Sequence, residues 1–263
     1  MARVTRRDLV RIGFILGVAG VVMARPWQAL RRPELAFEPI ADLPPLRRLT
    51  APGEASGGSA RDAVFVGLTP PGERASIAPA ELDRLRAEIC RLLGLSWAPG
   101  DPVPVTYFTD VNCPSCRRLE ADLVALSGDE GPAFSVVTRE YPVFGARSEA
   151  AARVIRAAGT LGRAEEMRRH LQTRPSPDTA PGVAALAARM GLDQDALAAA
   201  WASEEVAARL REDRGLARLL GLPGTPGLVV GRTLVIGAPP RARLAALLAL
   251  EEAAGAPAAC AGM

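Results

Sequence analysis

Apolar and polar positions follow two rhythms along this chain, and the switches between them mark out its elements. After Pro79, the residues Leu82, Leu85, Ile89 and Leu92 recur every three or four positions, and Gly94 follows. That spacing predicts an amphipathic helix with a glycine stop, and Cys90 lies beside its apolar stripe. Ala63-Val-Phe-Val66 reads as a short edge strand, and the apolar run Val103 to Phe108, reaching Thr109, as a buried one. A helix is predicted from 113 to about 127, regular from Arg117 to Leu126, and then a strand from Ala133 to Glu140. Helical spacing dominates from about 147 to 220, broken at Gly159, Gly162, the Pro-rich Arg174 to Gly182, and Gly191. Its Leu186, Met190, Leu197, Trp201, Val206, Leu210, Leu216 and Leu220 are expected to form a core of their own. Gly227 to Val230, a Gly231-Arg232 turn and Leu234 to Ile236 then predict a hairpin. Pro239 and Pro240 precede a last helix, Ala242 to Ala254, and a tail of small residues over 255–263.

This order predicts an α/β fold, a mixed sheet interrupted by an all-α subdomain. At 263 residues and 49% apolar content, the chain can bury a sizeable core. The net charge of +3 is too small to argue for a nucleic-acid partner. All the basic residues are Arg, with no Lys, which fits a compositional bias better than an Arg-specific ligand.

The first 24 residues read as a targeting segment. Arg3, Arg6, Arg7 and Arg11 form a basic start, followed by the uncharged run Ile12 to Ala24. As a helix that run spans roughly 20 Å, short of the ~30 Å hydrocarbon core, so a signal peptide fits better than a stable span. Thr5-Arg6-Arg7-Asp8-Leu9-Val10 resembles a twin-arginine export motif. Arg25 and Pro26 make a poor cleavage site, which keeps an uncleaved N-terminal membrane anchor open. Either outcome places the body outside the cytoplasm, in the periplasm, where disulfides persist. Residues 25–62, rich in Pro, Arg and Gly, are expected to be a linker or loosely packed arm ahead of a domain over 63–254.

The chemistry concentrates in Cys113-Pro114-Ser115-Cys116, directly after a strand and opening a helix. A helix start offers unpaired amides and a positive dipole end, which favour a thiolate at Cys113. Cys116, one turn on, can attack a mixed disulfide formed there. A metal site would need a further ligand pair, and Cys90, Cys260 and His170 are isolated, so no metal is expected. Haem attachment needs His after the second cysteine, where Arg117 stands. A structural CxxC disulfide would be strained and exposed. Cys90 and Cys260 could form a second disulfide, but the expectation is a small core residue and a loose tail residue. His170 reads as a surface or half-buried helix residue.

Gly224-Thr225-Pro226 before the hairpin is the second informative stretch. Proline there suits a strand's first position, and an X-Pro bond is where a cis peptide is cheap. A cis Thr225-Pro226 would present the Thr225 backbone to an extended peptide beside the Cys pair; an ordinary trans turn is the alternative.

Together with Arg139-Glu-Tyr-Pro142 and Ser148-Glu-Ala-Ala-Ala152, these motifs resemble the DsbA-like branch of the thioredoxin superfamily over about residues 102–252. The resemblance implies a thioredoxin fold, a mixed central sheet flanked by helices, with an inserted all-α subdomain. It implies a protein disulfide oxidoreductase needing no cofactor and acting on the thiols and disulfides of exported proteins, with a membrane redox partner for recycling. By the same resemblance Cys113 is the attacking thiol, Cys116 the resolving thiol, Pro114 and Ser115 tune the thiolate, and Thr225 and Pro226 contact substrate. Ser115 stands where strongly oxidising relatives carry His. Tyr107 stands where many relatives carry a buried acid, so the acceptor of the Cys116 proton is not identified, and the nearby Asp110 reads as a solvated loop residue. A reductase or isomerase with the same fold, or a chaperone without redox activity, are the competing functions.

Overall fold

The computed structural model describes residues 35–50, 78–128, 131 and 133–260. The targeting segment, the Ala63-Val66 strand and the last residues of the tail lie outside them. Six strands form one sheet: β1 (Ala36–Pro39), β2 (Arg47–Thr50), β3 (Val103–Thr109), β4 (Phe134–Glu140), β5 (Gly227–Val230) and β6 (Thr233–Ile236), in the order β1-β2-β6-β5-β3-β4. β3 pairs parallel with β4 and antiparallel with β5, and the β5–β6 hairpin continues into β2, which runs parallel to β6.

Side chains alternate across a strand, so each strand feeds two cores. Val103, Val105 and Tyr107 of β3 join Leu228, Val230 and Val235 on one face. There they pack against α3 (Pro114–Gly128) and α9 (Arg241–Ala254), through Leu119, Leu123, Leu244, Leu247 and Leu248. Phe108, Val229 and Leu234 face the other way, onto α1 (Pro79–Ala87) and α2 (Ile89–Leu93) and the end of α8 (Glu204–Leu219). Pro79 begins α1 and Gly94, at φ 66°, ends α2. That left-handed angle is why glycine is the stop there.

The helical stretch is five helices: α4 (Ala146–Thr160), α5 (Ala164–Leu171), α6 (Ala180–Arg189), α7 (Gln194–Ala202) and α8. They enclose their own core around Ile155, Met167, Leu186, Leu197 and Val206. Asp193 and Ser203 cap α7 and α8, accepting from the amides of Ala196 (2.9 Å) and Val206 (3.2 Å). Buried charges tie this subdomain to the sheet. Arg168 of α5 pairs with Glu140 of β4 at 2.6 Å, and Asp213 of α8 accepts from Arg139, Arg156 and the Glu140 amide.

Two expectations need correction. Residues 36–50, expected within a loose arm, are a β-hairpin on the sheet edge. Its Leu43 and Leu46 are buried with Leu85 and Leu93, and Arg47 stacks over Phe37 and pairs with the buried Glu251 at 2.8 Å. Cys90 and Cys260 are not separate residues but a disulfide that joins α2 to a 3-10 turn over Ala258–Cys260. Both sit in the Phe108-side core, where the tail folds back. No described helix is long and apolar enough to cross a membrane.

Candidate active site

Cys113 immediately precedes α3, at its N-cap position. Its sulfur accepts from the Cys116 amide at 3.3 Å, as a capping oxygen would. In this dithiol state its own S–H points to the Thr225 carbonyl at 3.5 Å. That carbonyl belongs to a cis peptide bond, Thr225-Pro226. The structure thus brings Cys113, Cys116, Thr225 and Pro226 together, with Pro114 exposed and Ser115 half-buried at the rim.

Charge at this sulfur is stabilised mainly by the Cys116 thiol as a hydrogen-bond donor. The Thr225 side chain and the Cys116 and Ser115 amides add to it, and together they outweigh burial and lower Cys113 from 9.0 to about 6. The Thr225 hydroxyl is buried with no partner while Cys113 is protonated. Lying beside that sulfur, it can turn its proton onto the thiolate. Burial drives Cys116 the opposite way, reinforced by its bond to Cys113 and by the neighbouring thiolate's charge. The two thiols are therefore unequal, one suited to ionise and one to stay protonated. Exposure is smaller than a helix start suggests: Cys113 is 3% exposed and Cys116 1%.

Asp110, expected to be a solvated loop residue, is 2% exposed and organises the turn before the cysteines. One carboxylate oxygen accepts from the Asn112 amide and the Ser148 hydroxyl, both at 2.8 Å; the other accepts from the amides of Val143 (2.8 Å) and Phe144 (3.4 Å). Its carbonyl accepts from the Cys113 amide at 2.9 Å. Four donors on one buried carboxylate lock the cysteine loop to the start of α4. Glu120, not singled out by sequence reasoning, lies below the pair. Its spacing was the available signal, since it follows Cys116 by four residues on the same helix face.

The depressed Cys113 pKa has a consequence for stability. Relative to a thiol at 9.0 in the unfolded chain, a folded value of about 6 stabilises the dithiol form by about 1 kcal/mol at pH 7 and on the order of 3 near pH 9. The gain is lost as pH falls through about 6, where Cys113 is protonated in both states. Above pH 9 the raised Cys116 works against it, because only the unfolded chain ionises that thiol. A Cys113–Cys116 crosslink closes only a four-residue loop, worth about 2 kcal/mol of chain entropy, so the thiolate gain exceeds it only at alkaline pH. Urea melts should therefore show the dithiol form more stable than the disulfide form near pH 9, with the margin closing towards about pH 7 and reversing below it. Equal midpoints throughout would contradict this thiolate assignment.

No curated protein matches the chain. Among solved structures, a thioredoxin-like oxidoreductase from Silicibacter pomeroyi DSS-3 is 32% identical, with 57% of this chain and 92% of that one covered and a TM-score of 0.48. The thiol-disulfide exchange protein alpha-DsbA2 from Wolbachia pipientis is 20% identical, covering 64% and 96%, with a TM-score of 0.50. The catalytic domain of Proteus mirabilis ScsC is also 20% identical, covering 65% and 98%, with a TM-score of 0.50. The last two show a common fold. The DSBA-like thioredoxin domain matches residues 104–249, more than half the chain, from the start of β3 into α9. With that match, the chain belongs to the DSBA-like thioredoxin family, whose members are thiol–disulfide oxidoreductases.

Proposed function

We propose that this protein exchanges disulfides with exported proteins in the periplasm through Cys113 and Cys116, in the direction of substrate oxidation. The observation that carries the reading is the unequal pair: a stabilised Cys113 thiolate at a helix start, facing the Thr225 carbonyl, above a buried Cys116. With a pKa of about 6, Cys113 is about nine-tenths thiolate at pH 7. It is then a good leaving group, which makes its disulfide a better oxidant.

A substrate thiolate attacks the Cys113 sulfur, and Cys116 departs. A second substrate thiolate then attacks the mixed disulfide, so the substrate leaves oxidised and both enzyme thiols reduced. The backbone of Thr225 and the ring of Pro226 flank the substrate strand, and Pro114 and Ser115 set the amide geometry around the thiolate. A membrane redox partner re-oxidises the pair. The basic, apolar N-terminus supports export, by the twin-arginine route from Arg6 and Arg7, as a soluble protein or one held by its N-terminus. The buried Cys90–Cys260 disulfide supports an oxidising compartment independently.

Direction is the finer part of the proposal, and the reduction potential of the 113/116 pair tests it. A value above roughly −200 mV fits an oxidase, and one near −270 mV would turn the reading to a reductase. Isomerases of this kind usually use a separate dimerisation domain ahead of the fold. Here residues 36–50 and 79–93 are instead part of the fold itself, which weighs against that alternative. The Cys116→Ser variant should accumulate mixed disulfides with reduced client proteins, visible on non-reducing gels, because the intramolecular escape is gone. Absence of such adducts under conditions where the wild type oxidises clients would remove Cys116 from its resolving role.

A further inference from the structure

The two edges of the sheet are built differently. β1 closes one edge with four residues that include Glu38 and Pro39, a charge and a residue with no amide proton to offer. β4 closes the other, and its stretch Phe134-Ser-Val-Val-Thr138 carries neither charge nor proline. Among the described residues β4 pairs with β3 alone. The Ala133 carbonyl accepts from the Val103 amide and the Tyr141 amide donates to the Thr109 carbonyl, both at 2.8 Å. Backbone groups of successive strand residues point to opposite edges, so odd-numbered residues turn toward β3 and Phe134, Val136, Thr138 and Glu140 turn outward.

The outward groups nearer the cysteines are taken. The Glu140 amide donates to Asp213 of α8 at 3.0 Å, and the Thr138 carbonyl accepts from Arg156 of α4 at 3.1 Å. Phe134 and Val136 have no such cap among the described residues. Apolar surface gathers at this open half: Val136 is 41% exposed and Val137 53%, on opposite faces of the strand. Val136 stands beside Val105, on the side where α3 packs and adds the exposed Val124. An uncharged, apolar, half-open edge is a template for pairing with another chain.

We propose that this open edge is a docking site for clients: an extended segment of a partly unfolded substrate protein adds to Phe134–Thr138 as a further strand while a cysteine of the same protein reacts at Cys113. The proposal rests on the disulfide-exchange reading and deepens it. Strand addition reads the main chain, and Val136 and Val137 offer apolar contacts on both faces, so it suits clients of unrelated sequence that share only being unfolded. Val136 is in register with Val105, four residues before the end of β3, so the open edge and the Cys113 sulfur stand on the order of 20 Å apart, a span of about six extended residues. A second copy of this chain fits the edge less well. A two-fold axis perpendicular to the sheet pairs even-numbered residues with even-numbered ones. Centred on Val136, it sets the Phe134 amide against the copy's Thr138 carbonyl, which Arg156 already holds. A client strand needs only the open part.

The experiment gives the full chain two substrates, reduced unfolded ribonuclease and glutathione. Val136→Pro removes one outward amide and leaves the β3 pairing intact, since proline is tolerated where the amide faces away from the sheet. It should raise KM for ribonuclease about tenfold, the worth of one or two backbone hydrogen bonds, with kcat and the glutathione rate within about twofold of wild type. Val136→Lys keeps the amide but puts a charge on the edge, and should move KM the same way by a smaller factor. Hydrogen exchange reads the docking without catalysis. The Val136 and Thr138 amides should exchange fast in the free protein and slowly in the mixed disulfide trapped between Cys116→Ser and ribonuclease. An unchanged ribonuclease KM in both variants, or equal losses on both substrates in both, would overturn the proposal. So would slow exchange of those amides in the free monomer, which would mean that another part of the chain covers the edge. A dimer that Val136→Pro dissociates would assign the edge to a second copy instead. A wild type that forms no mixed disulfide at Cys113 would overturn the exchange reading and this proposal together, whereas normal glutathione exchange with an unchanged ribonuclease KM would overturn only the docking site.

Discussion

Cys113→Ser should abolish exchange, lowering the rate of oxidation of a reduced dithiol peptide by a factor on the order of 10³ or more. The argument depends on the sulfur and not on the shape of the residue. At the N-cap of α3 the Cys113 sulfur accepts the Cys116 amide. A serine oxygen is a preferred acceptor in that position, so the helix start should persist and the variant should fold. What disappears is an atom that can ionise near neutral pH and form a bond to another sulfur. The dithiol's excess stability at alkaline pH should vanish with it, because the group at about 6 is gone. A variant that folds, and yet oxidises the peptide at more than a tenth of the wild-type rate, would place the chemistry elsewhere in the chain.

Local signals carried much of this fold. The strand before Cys113, the glycine stop at Gly94, and the hairpin around Gly231 are each written in a few adjacent residues. So is the inserted helical region, although its division at Ser203 is not: Ser203 is a modest cap inside continuous helical spacing, and only the packed chain shows that α7 stops there. The hairpin over 36–50 was illegible because its stability comes from distant partners, Glu251 for Arg47 and Leu85 for Leu43 and Leu46. Asp110 was misread for a related reason. Its donors lie up to 38 positions away, at Ser148, and no pattern around residue 110 announces four of them. Glu120 came closer to legibility, since a carboxylate one turn after the second cysteine is visible in sequence; the Tyr107 and Thr109 hydroxyls that it accepts from are not visible until β3 is laid over α3.

The second disulfide should carry the largest single share of stability that one change can remove. Cys90 and Cys260 are 170 residues apart, and a crosslink over so long a loop restricts the unfolded chain by about 5 kcal/mol in the loop-entropy account. Cys260 is fully buried with Leu85, Leu92 and Leu220, so the bond also holds the tail in a core it would otherwise leave. The double variant Cys90→Ala/Cys260→Ala should therefore unfold at markedly lower urea, with a loss of roughly 2–5 kcal/mol. Its glutathione exchange at Cys113 should stay close to the wild-type rate under native conditions. The physical reason is the sheet: Cys90 and Cys260 lie on the Phe108 side, whereas Cys113 and Cys116 pack with Tyr107 on the other. An unchanged urea midpoint would mean that the α2–tail contact is secured without the bond. Loss of exchange in the folded double variant would mean that the two faces are coupled through β3, against the separation that its alternating side chains impose.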